Sequence, residues 1–118
     1  MGLKSMDEIT ILRIESVLNH IDLVLNDTKN ITLEDLSSSS VLLRATCFSL
    51  MQIGEEMNKL KEKLGEKYAH LPWQDARSMR NVIVHDYGKV NVELVYLTIK
   101  NNLPSLKAAF EQVLRDKI

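Results

Sequence analysis

Apolar positions along the chain recur at steps of three and four residues, the period of an α-helix with one face turned to a core. Ile11, Ile14, Leu18, Ile21 and Leu25 form the first stripe, and Val17 and Val24 widen it. Ahead of it, Ser5-Met6-Asp7-Glu8 has the capping-box pattern, a hydroxyl followed three positions later by Glu. The spacing predicts a helix over 6–26, ended by the turn formers Asn26-Asp27-Thr28-Lys29-Asn30. Thr32 and Asp35 suit the cap of one short turn, and a hydroxyl among serines 37–40 suits the N-cap of the next helix. Leu43, Cys47, Leu50, Ile53, Met57, Leu60 and Leu64 carry the longest stripe, predicting a helix over 39–64 with Gly65 as its stop. Gly54 lies inside that helix, where glycine costs ~1 kcal/mol against alanine; close packing of a second helix is the plain explanation.

Residues 66–71 read as a connector. Leu71-Pro72-Trp73 then opens a helix over 72–87, with Pro72 in its first turn and Gly88 as a left-handed cap. Asn91 can cap a further helix through Val92, Val95, Tyr96 and Ile99. Pro104 heads a last apolar set, Leu106, Ala109, Phe110, Val113 and Leu114, and either breaks or kinks one long helix there. With four Gly and two Pro, and no strand-like alternation, the chain predicts an all-α, up-and-down bundle of four to five helices. Residues 1–118 read as one domain.

The 72–87 helix breaks its own pattern. On a wheel of about 100° per residue, Met79, Ile83, Ala76, Tyr87, Trp73 and Val84 share one arc. Arg80 falls in the middle of it, where a guanidinium is costly unless it is paired or faces a cleft. Glu55 is the side chain placed to turn toward it. His85 lies roughly 140° round, on a polar strip with Gln74, Ser78 and Asn81. Asn81 and His85, four apart, can touch.

Charge and cysteine content narrow the chemistry. A formal net charge of −1 provides no global field for nucleic acid, so a polyanion must be held by a local site. The lone Cys47 lies on an apolar stripe, which suits core packing and a reducing cytoplasm. No apolar run reaches the ~18 residues of a membrane span. His20, His70 and His85 are scattered without ligand spacing, so no metal is expected. His20 reads as a surface or boundary residue and His70 as a loop residue. No phosphate-binding glycine loop or serine elbow occurs. A histidine suited to proton transfer and an arginine suited to phosphate remain. One of each is thin for phosphodiester cleavage; a twofold dimer through the 72–87 helix would double the set.

Arg80-Asn81, then His85 and Tyr87 at the end of the third main helix, together with Ile53-Gly54-Glu55, Pro72-Trp73 and Leu103-Pro104, resemble the HEPN superfamily. The nearer resemblance is to HepT-like ribonuclease toxins, over about residues 40 to 106. Glu56 departs from the small residue that many relatives carry, which bears on packing or surface charge. The resemblance implies a HEPN-like, homodimeric endoribonuclease without metal or cofactor. Arg80 and His85 would be catalytic, and Asn81 would position His85 or the phosphate. It also implies a type VII toxin–antitoxin pair, in which an MntA-like nucleotidyltransferase antitoxin transfers AMP to the motif tyrosine, here Tyr87. The rival reading is a non-catalytic helical partner of a minimal nucleotidyltransferase, with Arg80 in a structural ion pair with Glu55.

Overall fold

Asp7 opens the first helix. Its carboxylate accepts the Thr10 N–H at 2.7 Å, capping α1 (Glu8–Asp27). The computed structural model describes residues 6–116, so Ser5 of the expected capping box lies outside the described residues. Ile14, Val17, Ile21 and Val24 are the buried centre of α1, with Ile11, Leu18 and Leu25 at its margins. The stripe is thus rotated toward the two valines, because α1 meets two neighbours, a long helix and the last one. Thr28 closes α1 by donating its hydroxyl to the Val24 carbonyl, and Asn30 takes a left-handed φ of 63°, which asparagine tolerates.

Thr32 and Asp35 form the reciprocal capping box of the short α2 (Leu33–Ser38). Ser39 caps α3 (Ser40–Leu64) by accepting the Leu42 N–H, as the serine run suggests. Gly65 does not take a left-handed cap; at φ −61° and ψ −37° it continues right-handed into the turns that follow. The connector is more than a link. Tyr68 and Leu71 are buried, Trp73 donates its indole N–H to the Tyr68 carbonyl, and the Tyr68 hydroxyl donates to Asp116. Trp73 also meets Phe110 edge-on, which ties the start of the next helix to the end of the chain.

α4 spans Trp73–His85, three residues shorter than the pattern predicts, one at its start and two at its end, with Pro72 at the N-cap rather than inside the helix. Asp86 leaves the helix at φ −158° and ψ 75° while its N–H still reaches the Val82 carbonyl. A single 3-10 turn, Tyr87–Lys89, follows, and no glycine among the described residues has a positive φ, so Gly88 is not the expected cap. α5 (Val92–Leu97), capped by Asn91, passes through a π turn (Thr98–Asn102) into α6 (Leu103–Asp116). Pro104 therefore does not break the helix. A proline crowds the carbonyl four residues back, and the wider π turn just before it absorbs that conflict.

α3 is the central rod. α1 lies along one side, antiparallel, with Arg13 bridging Glu56 at 2.9 Å and Lys63 bridging Asp7 at 3.3 Å. α4 lies along another side, and α6 packs on α1, where Lys107 meets Asp22. Among the described residues every regular element is helical, so the all-α expectation holds. Phe110, Ile14, Ile21, Leu36, Met57 and Leu60 are among the largest fully buried side chains.

Asp7 makes the fold acid-sensitive. Its bonds to the Thr10 backbone and side chain, and to Lys63, lower its pKa from 3.8 to about 2. The folded value lies below the unfolded one, so this stabilisation is present above pH 3.8 and is lost as pH falls toward 2. Asp7→Asn keeps an acceptor oxygen but not the charge. Its melting temperature should fall less than that of the wild type between pH 4 and pH 2; equal slopes would remove Asp7 from the acid response.

Candidate active site

α3 and α4 come closest at Gly54. A Cβ placed there would lie 2.6 Å from the Arg80 Cβ and 2.9 Å from the Ala76 carbonyl oxygen. Glycine is the residue that lets the root of Arg80 rest on the α3 backbone, which is the close packing expected of it. The arginine stem then runs out along the seam. Its Nη2 donates to Glu55 Oε2 at 3.0 Å, and its Nη1 donates to Asn81 Oδ1 at 2.7 Å. The Arg80 side chain is 29% exposed, so it is partly covered at the seam. The ion pair of the rival reading is present, yet it sits at the surface, where such pairs contribute little to stability.

Asn81 thus serves Arg80; no Asn81–His85 hydrogen bond occurs among the described contacts, contrary to the spacing argument. His85 is the last residue of α4 and is exposed. Tyr87 lies beyond the helix, in the 3-10 turn, and is also exposed. Neither Tyr87 nor Val84 belongs to the buried arc assigned to them: the helix ends before the first, and the second is exposed one step round from Arg80. Asp86 pairs loosely with Lys89 at 3.6 Å. One chain therefore brings Glu55, Arg80 and Asn81 together and leaves His85 and Tyr87 open at the same end of α4.

Other features are separate from this seam. An apolar groove of about 470 Å³ runs along the other flank of α4, lined by Met79, Val82, Leu94, Leu103 and others, and none of Arg80, Asn81, His85 or Tyr87 lines it. Cys47 is buried, and burial raises its thiol pKa to about 11, so it is no nucleophile. His20 is half-buried against Phe48, and His70 is exposed near Tyr68. No group of potential metal ligands occurs among the described residues. Outer positions of α3 carry exposed apolar side chains, Val41 at 68% and Phe48 at 53%; Ile9 and Leu12 are exposed on α1. Val41, Phe48 and Glu55 follow at intervals of seven, so this apolar strip leads to the Arg80 partner.

Fold and site together define a small all-α bundle with an arginine fixed at a helix seam and a histidine five residues on, at the helix end. The chain belongs to the ribonuclease HepT-like family, whose description it matches over residues 10–113, and by that membership it is a ribonuclease. It is 31% identical over 100 residues to "Putative RNase MJ1216" of Methanocaldococcus jannaschii, covering 85% of this chain and 83% of that one. It is 30% identical to "Putative RNase TTE0752" of Caldanaerobacter subterraneus subsp. tengcongensis, over 86% of this chain and 91% of that one. It is 28% identical to "Probable ribonuclease HepT" of Thermococcus cleftensis, over 85% and 91% of the two chains. No solved structure matches it significantly.

The Gly54 contact is open to a direct check. Overpacking costs about 1–3 kcal/mol, and the gain in helix propensity returns about 1. Because one of the two clashes is with backbone, Gly54→Ala should destabilise by about 1–2 kcal/mol, read as a lower urea midpoint. An unchanged midpoint would show that the two helices can separate there freely.

Proposed function

We propose that the chain is a metal-independent endoribonuclease toxin acting as a homodimer, with Arg80 and His85 as its catalytic residues. The observation that carries this is the held guanidinium: both terminal nitrogens of Arg80 are fixed, by Glu55 and Asn81, at the surface one turn below an exposed histidine. The ribose 2′-hydroxyl attacks the adjacent phosphorus while His85 takes its proton. The P–O5′ bond breaks, leaving a 2′,3′-cyclic phosphate, and the departing 5′-oxygen takes a proton from an imidazolium of the dimer to become a hydroxyl, so that no net proton is gained or lost. Arg80 stabilises the charge that builds on the phosphorane oxygens. Asn81 holds the guanidinium and keeps its amide N–H groups for the phosphate.

A dimer supplies what one chain lacks. Arg80 and His85 are roughly 140° apart on their helix and about 7.5 Å apart along it. Two copies facing one another across a shared cleft place two of each around one phosphate. The exposed Val41 and Phe48, at steps of seven from Glu55 on α3, support a self-interface on the outer face of that helix. The expected dimer face then includes α3 beside α4, rather than the α4 helix alone.

Tyr87 is the proposed control point. A partner nucleotidyltransferase joins the tyrosine oxygen to the α-phosphorus of a nucleoside triphosphate, releasing pyrophosphate and the phenolic proton. The exposed Tyr87 side chain supports this access. The added negative charge beside His85 repels RNA.

Arg80→Ala and His85→Ala should each lower cleavage of RNA in EDTA by about 100-fold or more, with the melting temperature and dimer retained. Cleavage undiminished in both variants would remove the catalytic assignment. In cells, Tyr87→Phe should stay toxic in the presence of the nucleotidyltransferase partner that silences the wild type. Silencing of Tyr87→Phe, with no mass gain on the Tyr87 peptide of the wild type, would rule the modification out.

A further inference from the structure

Glu55 sets a negative charge against the arginine proposed to receive a negative phosphate. That is an odd place for a carboxylate unless it does something for Arg80. As a stability device it is poor, because the Glu55 side chain is 36% exposed and the pair is open to water and salt. Its geometry is better suited to orientation. The preceding residue, Gly54, fixes the root of Arg80 at the helix seam. Glu55 and Asn81 then take the two ends of the guanidinium, Nη2 at 3.0 Å and Nη1 at 2.7 Å. A planar group held at both terminal nitrogens cannot turn about its own axis without losing a bond. A guanidinium has five N–H groups. Two are donated to Glu55 and Asn81, which leaves three for a phosphate.

We infer that Glu55 is a positioning residue: its carboxylate sets the plane of the Arg80 guanidinium for the reacting phosphate, while its charge limits how tightly RNA is bound. This rests on the proposed role of Arg80 in cleavage. The two effects separate by substitution. Glu55→Gln keeps an acceptor oxygen and loses the charge, whereas Glu55→Ala loses both. A structural ion pair would behave otherwise, lowering the folded fraction and leaving the kinetics of the folded dimer alone.

The test is steady-state cleavage of a short fluorogenic RNA at fixed salt, with rates normalised to folded dimer. Glu55→Gln should keep kcat within about threefold and lower KM, since polyanion binding strengthens when a negative charge is removed. Glu55→Ala should lower kcat by about tenfold or more without raising KM, the pattern of a lost transition-state orientation. Nitrogen-15 NMR of the arginine side chains gives a readout free of activity: slow guanidinium rotation at Arg80 in the wild type, and fast rotation in Glu55→Ala. If Arg80→Ala is inactive but Glu55→Ala keeps the wild-type kcat, the role of Glu55 is overturned and that of Arg80 stands. If cleavage survives Arg80→Ala, both are overturned.

Discussion

The separation of α3 and α4 at Gly54 governs the rest of the structure. With no side chain at that position, the Arg80 root touches the α3 backbone, and its head arrives beside Glu55 rather than in open solvent. The same approach fixes how α4 is rotated. Trp73 and Ile83 go inward, and Asn81, Val84 and His85 turn outward or to the margin. A bulkier residue would push the helices apart or turn α4 about its axis, and either change would move the guanidinium and the imidazole together. The connector contributes to this setting, since Tyr68 and Trp73 hold the start of α4 against the end of α6.

A protein with almost no net charge has to handle RNA without drawing it in from a distance. The local arrangement fits that constraint. The cation is single, held and partly neutralised by its neighbours, and the apolar strip on α3 leads up to it. In the proposed dimer, binding strength would be a property of a cleft shared by two copies more than of the surface of one. There, affinity and geometry would be set at the same few positions.

Much of the fold was legible because burial in a helical bundle leaves a periodic trace. The α3 stripe from Cys47 to Leu64, the Thr32–Asp35 capping box and the Ser39 cap stand where the pattern puts them. Gly54 was legible as a close approach, and Arg80 as a charge out of place, because each violates a local rule. The misses share a cause: they depend on backbone choices that several residue types permit. Nothing in Asp86 or Gly88 dictates that α4 stops at His85 and that Tyr87 begins a 3-10 turn. The π turn ahead of Pro104 is one solution to a proline in a helix, and a kink or a break would have served equally well on local grounds. Asn81 had two partners in reach, and its hydrogen bond goes to Arg80, which spacing alone does not single out. Catalysis by Arg80 and His85, positioning by Asn81 and modification of Tyr87 are proposed roles.

The end of α4 at His85 has a consequence for control. Tyr87 hangs from a short turn that contributes no buried residue, so nothing in the interior depends on its phenol. A group attached there could be as large as a nucleotide and leave every packed layer undisturbed. Such a switch would act on the approach to the cleft alone, and removing the group would return a molecule that never had to refold.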